Sequence, residues 1–317
     1  MKTAVVAIGG NAILKAGEKG SKEDQIINLE KSCEYLTRMI KNGYDIVFTH
    51  GNGPQVGNIL LRNDISKKKV APMPLDVCVA ESQGEIGYMF QQVLRNKLKS
   101  QGLDKCVISV ITQVVVDEKD EAFTNPTKPI GSYYSERDAK RMMRQKGWIM
   151  FEDKARGGWR RVVPSPIPID IVEKDAIKRL VFSGSQTSII VIASGGGGIP
   201  VIKKGNEYKG IDAVIDKDLA SGVLASCIDE KLFIMLTDVS KVALNFGKPQ
   251  QKNIDNMTVK EAIQYLNDGH FPPGSMGPKI KAAINFLNHG GEKVLITSPE
   301  CILEALDGKN GTHITKI

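Results

Sequence analysis

The stretch that most constrains the fold is an apolar strand followed directly by a glycine-rich turn, at residues 45–57. Residues 45–48 are Asp-Ile-Val-Phe, and residues 49–57 are Thr-His-Gly-Asn-Gly-Pro-Gln-Val-Gly. Gly51 and Gly53 allow the backbone to approach an anion closely, and Pro54 suits the first position of a helix. The pattern therefore predicts a strand, a loop of phosphate size and a helix.

A second loop near the N-terminus follows the same plan. The apolar run 4–8 leads into Ile-Gly-Gly-Asn-Ala at residues 8–12. Either loop alone could be an ordinary strand-to-helix turn, because glycine is common there. Two such loops side by side would direct several backbone N–H groups at one oxyanion. The glycines at 51, 53 and 57 are spaced one residue too widely for a dinucleotide-binding fingerprint.

Length and charge bound the class of protein. The chain has 317 residues, of which 41% are hydrophobic and 25% charged, as in a globular enzyme of one large domain or two joined lobes. Its net charge of +7 favours small anionic ligands. We expect no nucleic-acid partner, because no basic run is interleaved with aromatic residues.

Cysteine usage and the N-terminus indicate the compartment. The five cysteines are far apart and form no C-x-x-C pair, which argues against a disulfide framework or a structural zinc site. The first apolar run is too short for a signal peptide, and no later run approaches membrane-spanning length. We therefore expect a cytoplasmic protein without a membrane segment.

Alternating strand and helix patterns follow along the first part of the chain. Apolar residues at 26, 29, 33, 36 and 40 predict a helix from about Asp24, and further helices are predicted from Pro54 and over about 84–99. The β-branched run 107–116 predicts one buried strand. The alternation predicts an α/β fold, with a mostly parallel sheet covered on both faces.

The composition changes between residues 125 and 168, which predicts an inserted subdomain. Five of the 14 prolines and both tryptophans lie there, with many basic side chains. Residues 125–129 are Asn-Pro-Thr-Lys-Pro, so Lys128 is held on a stiff segment between two prolines. The basic segment 156–161 is either a second anion contact or an exposed turn, and the sequence leaves both readings open.

Three later segments also suggest contact with a ligand. A buried strand at 189–193 runs into Ser-Gly-Gly-Gly-Gly at 194–198. Ordering four successive glycines costs much conformational entropy, so the segment suggests a backbone in close contact with a ligand. The strand 232–236 ends at Thr-Asp-Val, a position where α/β proteins bind ligands. Residues 274–279 open a helix that Ser275 could cap, and Lys279 in its first turn is unfavourable unless an anion lies nearby.

These parts suit phosphoryl transfer, which depends on positioning and on cations that neutralise the transferring oxygens. Lys128, Lys217 and Lys279 are the candidate cations, and Asp218 could hold the ammonium groups in place. Asp216 and Asp218 could instead be helix caps. The chain has no P-loop, protein-kinase or G-x-S-x-G motif, and we expect His50 to be structural.

At this point the residues resemble a known family. The chain is similar along essentially its whole length to the carbamate kinases of the amino acid kinase superfamily. The segments that carry the resemblance are 8–12, 49–57, 82–84, 125–129, 162–166, 194–198, 214–220 and 274–279. The glycine loops indicate the superfamily, whereas NPTKP at 125–129, VVPSP at 162–166 and GSMGPK at 274–279 point to carbamate kinases.

The resemblance implies a three-layer αβα sandwich with a mostly parallel central sheet and a protruding inserted subdomain. An N-terminal lobe, 1–205, would bind carbamate or carbamoyl phosphate and carry the subdomain at about 125–168, and a C-terminal lobe, 206–317, would bind ADP or ATP with Mg²⁺. It also implies a homodimer that transfers phosphoryl reversibly between carbamoyl phosphate and ADP, usually toward ATP at the end of arginine catabolism.

By position, the resemblance assigns roles to individual residues. Lys128 would contact the transferring group, Lys217 and Lys279 would bridge the phosphates, and Asp218 would organise them. The carbamoyl side would be held by Gly9, Gly10, Asn11, Gly51, Asn52 and Gly53. The nucleotide side would be held by Gly195, Gly196, Thr237, Asp238, Val239, Ser275, Met276 and Gly277. Mg²⁺ would be held mainly by the nucleotide phosphates, with no protein ligand assigned.

Two features depart from the family pattern, and two other functions stay open. Glu81 stands where an uncharged residue is expected and could alter a loop near the substrate, and the link 182–188 is longer than usual. A sister enzyme that phosphorylates acetylglutamate or another carboxylate would lack the segment 125–168. A non-catalytic nucleotide sensor would have lost one of the three lysines.

Overall fold

A computed structural model describes residues 2–15, 18–153, 157–182, 189–272 and 274–317. Two features singled out above fall partly outside these ranges: Arg156, where the basic segment begins, and residues 183–188 of the link. The side chain of Asn11 is also outside the described part of the structure. Within these ranges, no helix is long and apolar enough to cross a membrane.

The described elements alternate between strands and helices over most of the chain. The strands are β1 Lys2–Ile8, β2 Tyr44–His50, β3 Cys106–Ser109, β4 Gln113–Val116, β5 Lys128–Tyr134, β6 Ile149–Asp153, β7 Gly158–Val163, β8 Pro168–Ile171, β9 Ile189–Ile192, β10 Ile199–Lys204, β11 Glu207–Gly210, β12 Leu232–Leu236, β13 Val242–Leu244, β14 Lys252–Ile254, β15 Asn256–Thr258, β16 Lys293–Thr297 and β17 Thr312–Thr315. The helices are α1 Lys22–Lys41, α2 Gly53–Ser66, α3 Leu75–Ser100, α4 Glu136–Lys146, α5 Lys174–Val181, α6 Lys217–Cys227, α7 Val259–Asn267, α8 Met276–Asn288 and α9 Ile302–Leu306.

The central sheet is built from β-branched strands that are buried on both faces. In the described part of the chain it has eight strands, in the order β15-β17-β16-β12-β1-β2-β9-β3. Neighbouring strands are parallel except β16 and β17, which are antiparallel. The mostly parallel sheet predicted from the sequence is therefore confirmed.

Strand β1 shows how helices cover both faces of this sheet. Val6 and Ile8 lie in an apolar cluster with residues of α1, α3 and α9, whereas Val5 and Ala7 lie in another with residues of α6 and α8. Successive side chains of a strand point to opposite faces, so the alternation places one helical layer on each side. Each fully buried Leu or Phe contributes about 1.5–3 kcal/mol. The three-layer αβα sandwich is confirmed.

The apolar run 107–116 is divided between two sheets, so the prediction of one strand was wrong. β3 belongs to the central sheet, while β4 belongs to a smaller sheet of order β11-β10-β4-β8. Between them, the side-chain amide of Gln83 accepts a hydrogen bond from the Thr112 N–H at 2.8 Å and donates one to the Thr112 carbonyl at 3.1 Å. This contact from α3 occupies the backbone groups that would have continued the strand.

Two helices extend beyond their predicted starts. α1 begins after Ser21, whose hydroxyl accepts a hydrogen bond from the Asp24 N–H in a reciprocal capping box. α3 begins at Leu75, nine residues before the predicted start, and Cys78 and Val79 in its first turns are buried. The early turns of α3 are formed because they pack on the inserted subdomain.

The inserted subdomain, called the arm below, lies within the predicted range 125–168. Strands β5, β7 and β6 form an antiparallel sheet, and helix α4 packs against it. Ile130 and Val163 bury their side chains in a third apolar cluster with α2 and α3. The arm crosses α2 closely, because a Cβ added at Gly57 would lie 3.2 Å from the Cα of Gly131.

The predicted lobe boundary at 205/206 falls in the turn of the hairpin formed by β10 and β11. A boundary after Gly210 would keep this hairpin in one unit. The central sheet itself runs through both proposed lobes, since β1 pairs with β12 over four residues of each strand. The division into lobes stays a prediction, in which the two lobes meet where β1 pairs with β12.

Candidate active site

The candidate site lies where the central strands of the sheet end. A cavity of about 530 Å³ opens at the carboxyl ends of β1, β12 and β16 and reaches the beginnings of α6 and α8. In parallel sheets this edge is the usual place for ligands. The residues that line it are Ile8, Gly9, Gly10, Ala12, Lys15, Asn28, Lys31, Ser32, Tyr35, Asp216, Lys217, Asp218, Leu236, Thr237, Asp238, Gly274, Ser275, Lys279, Pro299 and Glu300.

The two glycine loops predicted to be neighbours are in contact. The Gly51 N–H donates to the carbonyl of Ile8 at 3.1 Å. A Cβ added at Gly51 would lie 2.8 Å from the Gly10 nitrogen, closer than real Cβ atoms approach, so only glycine fits there without moving the backbone. Gly9 and Gly10 line the cavity, whereas residues 51–53 are not among its lining residues and Gly51 packs against Gly10.

Asp218 joins two of the predicted lysines. Its carboxylate accepts a hydrogen bond from Lys217 Nζ on one oxygen at 2.5 Å and from Lys279 Nζ on the other at 2.7 Å. The side chain of Asp218 is only 7% exposed, and those of both lysines are 13% exposed. The carboxylate therefore fixes two ammonium groups on α6 and α8 at one place, as predicted from the sequence.

Electrostatics keep the Asp218 carboxylate ionised. Burial alone would raise the pKa of the Asp218 carboxyl, but the charges of Lys217 and Lys279 outweigh it and lower that pKa to about 2. Burial also lowers the pKa of Lys217, against the attraction of Asp218. One carboxylate cannot balance the charges of two ammonium groups, so the cluster favours an anionic ligand.

Lys279 resolves a conflict noted in the sequence. It lies in the first turn of α8, where the helix dipole disfavours a cation, and Asp218 supplies the compensating negative charge. The prediction that Ser275 caps this helix was wrong. Ser275 is the N-cap residue, but its side chain makes no capping hydrogen bond.

Lys128 reaches the same place from the arm. Its Nζ pairs with one carboxylate oxygen of Asp216 at 2.8 Å. The other oxygen of Asp216 accepts hydrogen bonds from the N–H groups of Asp218 at 3.0 Å and Leu219 at 3.4 Å, so Asp216 is also the N-cap of α6. All three predicted lysines therefore pair with carboxylates at the beginning of one helix.

The loop 194–198 contacts protein atoms rather than the cavity. It is buried throughout, and Ser194 has a left-handed backbone with φ of 50°. A Cβ added at Gly195 would lie 2.5 Å from His50 Nε2, and one at Gly196 would lie 2.1 Å from Asn52 Nδ2. The glycines thus allow the loop to support residues 50–52 from behind, and Gly195 and Gly196 do not line the cavity.

The other residues predicted for the nucleotide divide into two groups. Thr237, Asp238 and Ser275 line the cavity. Val239, Met276 and Gly277 are adjacent in sequence but are not among the lining residues. Their assignment, and that of the glycines at 195 and 196, stays a prediction.

His50 has a structural environment, as expected. It is 1% exposed, and its Nδ1 lies 3.0 Å from the carbonyl of Gly51, so Nδ1 carries the proton that it donates. Burial lowers the pKa of His50 to about 4. The imidazole is neutral at physiological pH and holds the second glycine loop.

Sequence reasoning missed one wall of the cavity, formed by helix α1 and the residues after β16. Ser32 Oγ donates to the carbonyl of Ala12 at 2.9 Å, and Asn28 Nδ2 contacts the carbonyl of Ile13 at 3.3 Å. These polar residues are one helical turn apart, a spacing that predicts one shared face of α1. Glu300 accepts a hydrogen bond from Tyr35 at 3.2 Å, and no local pattern predicts a contact across 265 residues.

The described residues offer no cluster of three or more His, Cys, Asp or Glu side chains that could hold a metal ion. Asp216 and Asp218 at the site are already paired with lysines. The arrangement can position and neutralise a multiply charged oxyanion with ammonium groups and backbone N–H groups.

Comparison with known proteins places this site in context. The model of the amino acid kinase family matches residues 2–298. A carbamate kinase of Pyrococcus horikoshii is 49% identical over 313 residues, 98% of each chain, and a carbamate kinase-like protein of Escherichia coli is 47% identical over 318 residues, 98% of each chain. The solved structure of a carbamate kinase from Giardia lamblia bound to AMP-PNP has a TM-score of 0.91 and 43% identity, covering 99% of this chain and 98% of that one.

Proposed function

This chain belongs to the amino acid kinase family, and we propose that it is a carbamate kinase. The proposed reaction transfers a phosphoryl group reversibly between carbamoyl phosphate and ADP, giving ATP and carbamate, which then decomposes to ammonia and CO₂. The proposal is supported by the full-length similarity to carbamate kinases and by the arm that brings Lys128 to the site.

One observation carries the proposal: three ammonium groups meet at the beginning of α6. Lys217 and Lys279 share Asp218, and Lys128 pairs with Asp216 two residues away. The charge that spreads over a transferring phosphoryl group is stabilised by cations already in place, because no reorganisation is then needed during the reaction.

Each group then has a defined task. Lys217 and Lys279 hold the nucleotide phosphates, and Lys128 exchanges Asp216 for the transferring group. Asp218 positions the two buried lysines without touching the substrate. The backbone N–H groups of the loops at 9–12 and 51–53, apart from those of Ala12 and Gly51 that bond to carbonyls of the protein, hold the carbamoyl end and align its oxygen with the phosphorus. Transfer is in line between the two bound oxygens.

Substrate size supports a reaction driven by charge. Carbamate has four heavy atoms, so at a ceiling of about −1.5 kcal/mol per atom its binding cannot exceed roughly −6 kcal/mol. Tight fit to so small a molecule cannot supply the rate enhancement, which must come from interactions stronger in the transition state. The lysines are the groups able to provide them.

Nucleotide and Mg²⁺ complete the proposed reaction. We assign the nucleotide to the part of the cavity between Thr237, Asp238 and Ser275, next to Lys279. Since the described carboxylates form no metal-binding cluster, Mg²⁺ would be held mainly by phosphate oxygens and supply further charge neutralisation.

The decisive experiment supplies Mg²⁺, ADP and carbamoyl phosphate to the purified protein and measures ATP with luciferase. We expect ATP to form only when all components are present, and Lys128→Ala to abolish most of it. Two further assays test the sister-enzyme alternative. One supplies acetyl phosphate as the phosphoryl donor to ADP, and the other supplies ATP with N-acetylglutamate in the opposite direction. ATP formation from acetyl phosphate, or ADP formation from ATP with N-acetylglutamate, without any turnover of carbamoyl phosphate would overturn the assignment to carbamate. No turnover of any of these substrates, with tight ADP binding, would favour a nucleotide sensor.

We also propose that the protein is a cytoplasmic homodimer that works toward ATP in arginine catabolism. Helix α3 exposes Val77 and Tyr88 on one face, three helical turns apart, which suits contact with a second copy. Glu81 is exposed on this same face and does not line the cavity. Sedimentation equilibrium tests the dimer, and Tyr88→Lys is expected to weaken it.

A further inference from the structure

A second cavity, called the arm cavity, lies between the arm and helix α2. Its volume is about 320 Å³, and none of its lining residues lines the active site. Both sides contribute, so that an occupant would touch the arm and the body of the protein together. The lining residues are Gly57, Leu60, Leu61, Asn63, Asp64, Lys67, Pro72, Met73, Pro74, Leu75, Ile130, Gly131, Tyr134, Lys146, Trp148, Arg161 and Asp212.

Arg161 on β7 presents an unpaired cation to this cavity. Its guanidinium lies 4.8 Å from the centre of the Trp148 ring. Within the described ranges its side chain makes no hydrogen bond or ion pair. Arg161 is partly buried, and this burial lowers the pKa of its guanidinium. A guanidinium above an aromatic ring can still offer N–H groups to an anion.

Tyr134 supplies a second free donor. Its ring packs edge-on against Trp148 with centroids 6.1 Å apart, and among the described residues its hydroxyl has no hydrogen-bond partner. Burial raises the pKa of Tyr134, with Asp64 adding to the effect, so the hydroxyl keeps its proton. A guanidinium and a hydroxyl facing one cavity form a donor pair for a carboxylate.

The remaining charges of the cavity are already compensated or engaged. Asp64 pairs with Lys67 at 2.8 Å and also with Lys146, and one oxygen of Asp212 accepts the N–H of Leu75 at 3.1 Å. The Asp212 carboxylate also acts electrostatically on Arg161, so among the three cations and two carboxylates that line the cavity one positive charge remains to attract an anion. The rest of the wall is apolar, from Leu60, Leu61, Pro72, Met73 and Ile130.

We propose that the arm cavity binds a small monocarboxylic acid with an apolar body. Its carboxylate would bond to Arg161 and Tyr134, and its body would lie against the apolar wall of α2 and the residues before α3. This assigns the basic segment 156–161 a function at its far end, as an anion contact outside the active site. The binding claim does not depend on the proposed kinase activity.

The site has a route to the arm lysine. Ile130 and Gly131, which line the cavity, follow Lys128 by two and three residues on the same strand. Gly131 also packs on Gly57 at the crossing with α2. An occupant would brace β5 against α2 and so limit the movement of Lys128 between Asp216 and the substrate.

The binding test uses the full chain with Trp159→Phe, which leaves Trp148 as its one tryptophan. Benzoate and hexanoate are titrated against benzamide and hexanamide, their uncharged counterparts, while the emission of Trp148 is recorded. We expect saturation by the acids with a dissociation constant of about 1 mM and binding of the amides at least tenfold weaker. No saturation by either acid up to 20 mM, or equal binding of acids and amides, would overturn the proposal.

Variants in the same background locate the acid. Arg161→Gln is expected to weaken benzoate at least tenfold, and Tyr134→Phe about threefold, whereas Arg144→Gln on the exposed face of α4 should have no effect. If Arg161→Gln does not fold, as judged by its melting curve, Tyr134→Phe decides, because it removes a single hydroxyl. Unchanged affinity in a folded Arg161→Gln would contradict the assignment, as would unchanged affinity in Tyr134→Phe where Arg161→Gln does not fold.

The link to Lys128 is tested separately. At saturating benzoate we expect the rate of ATP formation to fall at least twofold, and this inhibition to disappear in Arg161→Gln. An unchanged rate with benzoate bound would refute the bracing of β5. If the protein makes no ATP at all, the fluorescence titration still decides whether the site exists.

Discussion

At the scale of single residues, the site depends on two aspartates that each serve two partners. Asp218 accepts hydrogen bonds from Lys217 and Lys279. Asp216 accepts them from Lys128 and from two backbone N–H groups of α6. The lysines were predictable, because phosphoryl chemistry requires cations. The partner of Lys128 was not, since the pairing joins positions 88 residues apart and only the fold brings them together.

Lys128→Ala is expected to lower turnover by a factor of about 10²–10³ while the melting temperature barely moves. The side chain is 36% exposed, and Asp216 keeps its N–H donors when the ammonium is removed. ATP formation and thermal unfolding measure the two effects, with Lys140→Ala on the exposed face of α4 as control. A normal rate in Lys128→Ala would contradict the proposed mechanism. Lys279→Ala should also lose turnover, but with a measurable loss of stability because its partner is buried.

Asp218→Asn is expected to lower the free energy of unfolding by about 3–5 kcal/mol at pH 7, because two buried ammonium groups lose their carboxylate. The pKa of Asp218 in the folded protein, about 2, lies below its ordinary value of 3.8. Its ionisation therefore stabilises the protein above pH 4, and about 2 kcal/mol of this is lost as the pH falls from 4 to 2. Denaturant unfolding across this range should show that loss in wild type and not in the variant.

His50 predicts a second pH effect, in a different window. Its pKa of about 4 in the folded protein lies below the ordinary 6.5, so protonation favours the unfolded chain. Stability from neutral His50 is complete above pH 6.5 and decreases by about 3 kcal/mol on going down to pH 4. His50→Asn can keep the bond to the Gly51 carbonyl and should remove this decrease, whereas His289→Asn on the surface should not. If the free energy of unfolding depends on pH identically in His50→Asn and wild type, His50 is not the source of the decrease.

At the scale of elements, the glycine loops were predictable and their partners were not. The order strand, glycine and helix fixed where the two loops lie on the sheet edge. The loop 194–198 has the same composition, yet it is pressed against His50 and Asn52 instead of a ligand. Glycine reports a close approach, but sequence alone does not say what approaches. The prediction of one strand over 107–116 was wrong for a similar reason, because Gln83 of helix α3 bonds to the backbone of Thr112 and ends the strand there.

Gly51→Ala is expected to separate the two loops and lower turnover about a hundredfold, at a cost of about 1–3 kcal/mol in stability. The added methyl would lie 3.0 Å or less from two backbone atoms of Gly10, which no side-chain rotation can relieve. Lys140→Ala on the exposed face of α4 is the control. Its side chain is 63% exposed and pairs with Glu136 on the same helix, so its turnover and stability should both match wild type.

At the scale of the whole molecule, the sheet is continuous and the arm forms a separate three-stranded sheet that packs on α2. β1 and β12 are paired in parallel register along the seam between the proposed lobes. Hinging there would break backbone hydrogen bonds, so closure over a substrate is expected from the arm. The alternation of strands and helices predicted the sandwich, and the proline-rich composition predicted the arm, but neither pattern contains the register that joins the two halves.

The arm is held to α2 by the ion pair between Lys146 and Asp64, which also engages Lys67. We expect Lys146→Gln to speed cleavage of the arm by chymotrypsin several-fold while the melting temperature of the protein stays within a degree or two. Lys140→Gln, which breaks an exposed pair within α4, should leave the cleavage rate unchanged. Equal cleavage of both variants would show that the pair does not hold the arm.

The double use of Asp216 has a consequence for each catalytic cycle. When Lys128 turns from Asp216 to an incoming phosphate, the carboxylate is not stranded, because the first N–H groups of α6 continue to solvate it. The free energies of Lys128 paired with Asp216 and of Lys128 paired with the phosphate therefore differ little. A substrate of modest affinity is enough to shift Lys128 from Asp216 to the phosphate. The N-terminus of α6 stabilises the Asp216 carboxylate whether or not Lys128 is bound to it. The exchange of Lys128 between Asp216 and the phosphate is therefore reversible, as an enzyme working in both directions requires.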